Sequence, residues 1–386
     1  MTPKHIIHIT PVYWDNWGYQ ENFILKYQSK TQNKITVITP AKSLTSYRDD
    51  LNGDTTEYYI DNIKIIRLRL KWKIINRFYW YDNLYNKLLE EAPDIIMVHG
   101  LAMIPILEII KFKKKFPNCI IYADFHSDYL ISGTNILSVK ILHSIIWRFF
   151  VQLSIPFIER IYYTRPSVKI FITELYKINE NILEELLMGA DCKQHIFEER
   201  ENINIRIRNK LNIPLDSFVI CTGGKINNER HLDILVNCLN KINSDQLHLI
   251  IFGKIDDEYL NIFNSLIYNN KNIHFVGWLQ GDQIYDIYYS SNIAIFLGNH
   301  SVLWEQAVGS GTPAIFGYRV DREYLDVGGN CIFLFENNEL ELIQYLKLLI
   351  NNPELTLKMR NIAITKGELK FSYSNIIKKL NDSWGL

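Results

Sequence analysis

Short apolar runs recur along the chain, separated by longer stretches of mixed character. In the first half they fall at 4–10, 34–39, 61–70, 94–99, 118–124 and 168–172. Each has the length of a buried strand, while the segments between them, such as 79–91 and 102–115, carry apolar residues at helical spacing. The pattern restarts after a polar, charge-rich interval around 193–209, with runs near 217–222, 247–252, 272–276, 292–297, 312–316 and 331–335. From Asn338 the chain reads as helical, with Pro353 opening one helix and 371–374 leading into a last one that ends near Trp384. Strands alternating with helices make parallel sheets with crossover helices. The expected fold class is therefore α/β, with two doubly wound, Rossmann-like domains. Ligands of such sheets gather at the carboxyl ends of the strands, so a cleft lined by strand-to-helix loops of two facing domains is expected.

Length agrees with two domains, because 386 residues exceed what one core usually supports. Lys+Arg and Asp+Glu both number 42, so bulk attraction to nucleic acid is not supported and a polyanion site must be local. Five cysteines, Cys119, Cys192, Cys221, Cys238 and Cys331, form no C-x-x-C pair, which argues against a zinc site or disulfide framework and suits a reducing, cytoplasmic setting. The N-terminus opens directly on a strand, without a charged-then-apolar leader. The apolar stretch 149–158 falls well short of the ~18 residues a membrane span needs.

Four strand-to-helix loops, with one further turn, carry the chemistry. After the first strand, Gly18 permits a tight turn and Tyr19 starts a helix through Gln20 and Glu21; the loop either contacts a phosphate or hydroxyl through its backbone or is a plain connection over buried Trp14 and Trp17. After 118–124, Asp124, His126, Ser127 and Asp128 crowd a strand end, where carboxylates can orient an imidazole and raise its pKa; capping of a turn by Asp124 or Asp128 is the alternative. Next comes Gly223-Gly224-Lys225 with Arg230, glycines that allow close approach and two cations that could neutralise a departing diphosphate, or else a solvated loop. It is neither a Walker loop nor a G-x-G-x-x-G fingerprint. Gly253, Trp278 and Leu279 follow two further strands and either meet a nucleobase or simply pack. Finally, the run 292–297, the Gly298-Asn299 turn, Ser301 as cap and a helix ending at Gly309–Gly311 place Glu305 one turn in. Amides there favour an anion and Glu305 could accept from sugar hydroxyls, or the segment is a common strand-turn-helix with an incidental Glu.

Taken together, Gly18-Tyr19-Gln20-Glu21, Asp124-Phe125-His126-Ser127-Asp128, Leu187-Met188-Gly189-Ala190-Asp191, Gly223-Gly224-Lys225 with Arg230, and Glu305 with Gly311-Thr312-Pro313 resemble glycosyltransferase family 4, over nearly the full length. Members are retaining enzymes of the GT-B fold that take sugar from a nucleotide diphosphate. The resemblance implies domains at 1–200 (acceptor) and 201–368 (nucleotide sugar), with 369–386 a helix returning to the first. It implies that His126 contacts the transferred sugar, Lys225 and Arg230 bind the diphosphate, Glu305 holds the ribose, and backbone groups of His300, Ser301, Val302 and Leu303 complete the phosphate site. No metal and no cofactor are implied, and the chain has no Asp-x-Asp motif for carboxylate ligation of Mg²⁺ or Mn²⁺. Three positions depart from the family: Leu297 replaces a second Glu, Lys225 precedes Arg230 rather than the reverse, and Gly18-Tyr19 replaces a double glycine.

The expected activity is transfer of a hexose from a UDP- or GDP-sugar, with retention, to a glycan or lipid-linked acceptor in surface polysaccharide synthesis. The alternatives are an epimerase or hydrolase on the same fold, or a nonenzymatic sugar-nucleotide-binding subunit. Location is expected in the cytoplasm, with room for peripheral contact at the inner membrane face. Two stretches bear on that contact. Residues 66–73 alternate apolar and basic, as a charge-protected edge strand or a surface for anionic lipid would. Residues 139–163 read as a buried crossover helix or a membrane dock.

Overall fold

The computed structural model describes residues 2–15, 18–42, 44, 53–74, 76–130, 132–133, 135–191 and 197–386. These form two compact units, Met1–Leu187 with Ile377–Leu386, and Met188–Ile376. The division precedes the 200/201 boundary drawn from sequence. Its physical basis is a bridge between Ala190 and Ser372, with Ala190 N donating to Phe371 O at 2.7 Å and Tyr373 N to Ala190 O at 2.9 Å.

Unit 1 contains β1 (His5–Ile9), β2 (Lys34–Pro40), β3 (Thr56–Ile60), β4 (Ile63–Leu68), β5 (Leu70–Ile74), β6 (Phe78–Tyr81), β7 (Ile95–His99), β8 (Ile120–Phe125), β9 (Arg160–Tyr163) and β10 (Leu183–Glu185). Eight of them make one sheet in the order β10-β9-β8-β7-β1-β2-β4-β3, parallel except for the β3–β4 pair, and β5–β6 form a separate hairpin. The chain moves from β1 outward to β2 and β4, then returns to β7 on the other side. Strand order therefore reverses between β1 and β7, where ligands of doubly wound sheets collect. Every residue of β7 is buried, as expected of a central parallel strand covered on both faces. The last residues close this unit: Trp384 stacks on Tyr122 at 4.6 Å and 3°, and its Nε1 donates to Tyr162 Oη at 2.9 Å. Such a stack adds about 0.5–1.5 kcal/mol beyond area burial.

Unit 2 contains β11 (Phe218–Ile226), β12 (Leu247–Ile255), β13 (Ile273–Phe275), β14 (Ile293–Phe296), β15 (Ala314–Gly317) and β16 (Cys331–Leu334), all parallel, in the order β13-β12-β11-β14-β15-β16. Its reversal lies between β11 and β14. Asn338 caps the helix Glu339–Asn351 by accepting from Glu341 N, and Pro353 opens the helix Pro353–Ile362, as the sequence predicts.

Several expectations are corrected. Residues 168–172 lie within a helix, Pro166–Tyr176, not a strand: Pro166 sits in its first turn, and Val168, Phe171, Ile172 and Leu175 recur at helical spacing on its buried side. The true neighbouring strand is β9. The polar interval 193–209 becomes the helix Phe197–Lys210 where it is described, because buried Arg208 donates to Ser217 O at 2.8 Å and Asn292 Oδ1 at 2.9 Å. The alternation across 66–73 is not one cationic strand face. It breaks between β4 and β5, with buried Arg67 paired to Asp15 and Arg69 paired to Asp82. Trp17 and Cys192 lie outside the described residues.

Candidate functional site

At the β1/β7 reversal, buried strands carry unexpected polar groups. His8 on β1 and His99 on β7 stack at 5.3 Å, with His8 Nδ1 3.0 Å from His99 Nε2. On the far side of His99, its Nδ1 lies 2.6 Å from Asp124 Oδ2, on β8. At the other end, His8 Nε2 lies 2.8 Å from Gln28 Oε1, and Gln28 Nε2 donates to Asn381 Oδ1. With the Gln28 amide in that orientation and His8 neutral, His8 Nε2 donates and its Nδ1 accepts, which leaves His99 to donate from both nitrogens, to His8 and to Asp124, as an imidazolium. Electrostatics agree. Burial and then the His99 charge push His8 down to about 3, so it stays neutral. Burial opposes a charge on His99, but the Asp124 carboxylate raises it, and the two histidines hold the Asp124 carboxyl well below its usual range despite its burial.

His126, just past β8, shares that carboxylate. Its ring is one-third exposed, but its Nε2 is buried without a hydrogen bond, 3.6 Å from Asp124 Oδ2 and 3.9 Å from Glu21 Oε1. Burial works against its charge, yet Asp124 and then Glu21 push it up to about 9. The protonated ring is thus favoured by folding. The associated stability is full below the ordinary value of 6.5 and is lost as pH rises through about 9. Ring-nitrogen NMR should show His126 titrating near 9 in the ligand-free protein and moving toward 6.5 in Asp124→Asn. A wild-type midpoint near 6.5 would contradict the arrangement. Glu21, His99 and His126 bring ligand-type atoms within 4.8 Å of one another, with both His99 nitrogens engaged by His8 and Asp124.

Asp128, also predicted here, accepts from Arg165 at 2.7 Å, from Ser167 and from Leu130 N, and so fastens a turn. Gln20 anchors the chain at 186–187 by donating to both carbonyls. Gly18 is not at positive φ and an added Cβ would meet nothing within 4 Å, so backbone strain does not require glycine there. Tyr19 is the half-exposed N-cap of the helix Gln20–Gln28.

In unit 2, Arg230 lies at the β11/β14 reversal. Its Nε donates to Lys225 O at 3.0 Å and its Nη1 to Asn299 O at 2.6 Å, which fixes the guanidinium and leaves Nη2 without a hydrogen bond among the described residues. Lys225 Nζ pairs with Asp256 at 2.9 Å and is 59% exposed. A pair that exposed is worth about 0–1 kcal/mol, so Lys225 can exchange it for another anion. Gly224, at φ +113°, lies against Leu303 and the Arg230 fork, whereas Gly253 serves packing: its Cβ would sit 1.8 Å from the Gly224 carbonyl oxygen. Trp278 is exposed beside Gly277, and Leu279 is half-buried.

Glu305 is wholly buried in the helix Leu303–Gly309. Its Oε1 accepts from Tyr324 Oη and lies 2.9 Å from His300 Nε2, while its Oε2 is buried with no partner among the described residues. Trp304 Nε1 and Gln306 Oε1 beside it are likewise unmet. Val302, not Ser301, occupies the N-cap position and makes no side-chain cap, and Ser301 Oγ is 3.5 Å from Leu303 N, too long for a firm cap. Leu297 packs in the unit 2 core, so the position where a carboxylate was looked for is apolar and enclosed. Sequence reasoning missed His8, His99, Tyr324, Asp256 and Arg322, the last buried, donating to the Gly298 and Gly317 carbonyls and lying over Trp304. The sequence signal for the histidines was a polar residue in an apolar strand, His8 next to last in β1 and His99 last in β7.

No family model matches this chain, and no curated protein matches it. Solved structures do. A glycosyltransferase from Rickettsia africae aligns over 100% of this chain and 98% of its own with a TM-score of 0.71 at 15% identity. HepE from Anabaena, in complex with UDP, aligns over 99% of both chains with a TM-score of 0.71 at 12% identity. Sucrose-phosphate synthase from Thermosynechococcus elongatus covers 99% of this chain and 98% of its own, at 0.70 and 12%. At such identities the likeness establishes the fold, which is that of the GT-B glycosyltransferases.

Proposed function

We propose that this protein is a glycosyltransferase that takes a hexose from a UDP- or GDP-sugar and passes it, with retained configuration, to a glycan or lipid-linked acceptor in surface polysaccharide synthesis. The observation that carries this reading is the unmet Glu305 Oε2, held at a strand-order reversal by His300 and Tyr324 on its other oxygen. A buried carboxyl oxygen without a donor is costly, and a ribose hydroxyl is a donor of the right kind. HepE from Anabaena has been solved with UDP and with UDP-glucose, which makes the uridine nucleotide the first to try.

In the reaction, the bond between the anomeric carbon and the diphosphate oxygen breaks, and the electron pair leaves with the diphosphate. The acceptor hydroxyl forms the new bond on the same face, and its proton passes to the departing diphosphate oxygen. Arg230 Nη2 and the Lys225 ammonium would meet the growing charge on the leaving group, the first already fixed by two carbonyls and the second by exchanging Asp256. His126, as an imidazolium, would supply hydrogen-bond donation to the sugar rather than act as a base in the resting protein.

Thermal unfolding with UDP and GDP tests the donor assignment. One nucleotide at a hundred times its Kd should raise stability by about 2.7 kcal/mol, and Glu305→Gln should weaken that binding by about tenfold or more. No shift with either nucleotide would sink the reading. The enclosed Leu297 supports a second one, a subunit that binds sugar nucleotide without turnover; tight UDP binding with no hexose transfer across glycan and lipid-linked acceptors would select it.

A further inference from the structure

Residues 138–154 form one continuous helical segment of unit 1, π-helical over Ser138–Trp147 and α-helical over Arg148–Ser154. Its inner face is ordinary: His143, Trp147 and Val151 are buried, and Leu142, Ile146 and Phe150 pack on the core. The outer face is not. Leu137, Ile141, Ile145, Phe149 and Leu153, each four residues after the last, are 70, 48, 62, 62 and 42% exposed, and Ile136 before them is 72% exposed. A helix apolar all round belongs in a core or against another apolar phase, and a contiguous ridge of this kind marks an interaction surface.

Charge says which phase. From Tyr129 to Ile158 the chain contains no Asp or Glu, while Lys140 and Arg148 stand immediately before Ile141 and Phe149 in the ridge. The β5–β6 hairpin packs beside this helix: Phe78 stacks on the buried Trp147 at 5.0 Å, while Trp72 and Ile74 of the hairpin are 38 and 62% exposed. From Asn62 to Tyr81 there is again no acid, and Lys71 and Arg77 are exposed. Arg77 lies close enough for its charge to reinforce the burial that lowers His143 on the helix. Apolar side chains flanked by cations, on two stretches of chain that carry no carboxylate of their own, match an anionic lipid interface: the side chains enter the acyl boundary and the cations meet the headgroups. No helix among the described residues is long and apolar enough to cross a membrane, so the contact is with one face of the bilayer.

We propose that the ridge Leu137–Leu153 and the β5–β6 hairpin dock this protein on an anionic lipid surface. The inference does not depend on the donor site, which lies in the other unit.

The test is sedimentation of the full chain with phosphatidylglycerol–phosphatidylcholine vesicles against phosphatidylcholine alone. Binding is expected on the anionic vesicles, weakening as salt rises. The double variant Ile145→Glu/Phe149→Glu should reduce it at least about tenfold, and Lys140→Glu/Arg148→Glu should do the same at moderate salt. Both pairs lie toward solvent, so melting temperature and UDP response should hold; a variant that melts early is replaced by Ile141→Ser/Ile145→Ser. Failure to bind anionic vesicles, or binding that ignores the ridge substitutions, overturns the proposal. So does a concentration-dependent dimer that Ile145→Glu abolishes, which would assign the ridge to a second copy of the chain.

Discussion

Arg230→Ala should slow hexose transfer by about 10²–10³-fold, a loss of about 2.7–4 kcal/mol, while leaving KM for the donor within a few-fold. Two of the three guanidinium nitrogens are committed to the Lys225 and Asn299 carbonyls, so the side chain is held before any ligand arrives. A donor fixed in advance costs no reorganisation when charge builds on the leaving group, and its benefit falls on the transition state rather than on ground-state binding. Arg230→Lys should recover little, because an ammonium cannot hold both carbonyls and still present a third nitrogen. Steady-state kinetics with a UDP-hexose separates the cases. Equal loss in kcat and kcat/KM supports the role, and unchanged turnover removes it.

Asp124→Ala should destabilise unit 1 by about 3–5 kcal/mol, since it strips the counter-charge from a buried imidazolium. Asp124 is fully buried and serves two histidines, with His99 at 2.6 Å and His126 at 3.6 Å. Removing it should drive His99 neutral and bring His126 back down. The sign follows for pH. A carboxyl held below its usual range contributes stability above that range and loses it as pH falls, so wild type should lose more stability in acid than the variant. Urea unfolding at neutral and acidic pH, followed by Trp fluorescence, measures both effects. A loss under about 1 kcal/mol at neutral pH would mean that His99 is neutral in the folded state.

The sequence made the architecture legible where strands were long and apolar. Runs at 34–39, 94–99 and 247–252 became β2, β7 and β12, and Pro353 opened its helix. It failed where an apolar run was short and ambiguous. Residues 168–172 were as apolar as a strand, but Pro166 and the recurrence of buried residues along Pro166–Tyr176 made them helical. The proposed site residues Lys225, Arg230, His126 and Glu305 stand out in the sequence because each brings unusual polar chemistry to the end of an apolar strand or to the turn or helix that follows it. Their partners do not. His8 and His99 lie 91 positions apart and meet only because β1 and β7 are neighbours in the sheet, and Tyr324 reaches Glu305 from a short helical turn with no motif of its own. Asp128 shows the converse: adjacency to His126 in sequence suggested one cluster, but its carboxylate points to Arg165.

The most direct test of the account is a crystal structure of the protein with UDP. The account places a ribose hydroxyl within hydrogen-bond distance of Glu305 Oε2 and a phosphate oxygen on Arg230 Nη2. UDP bound away from both, with Glu305 Oε2 still unpaired, would contradict it.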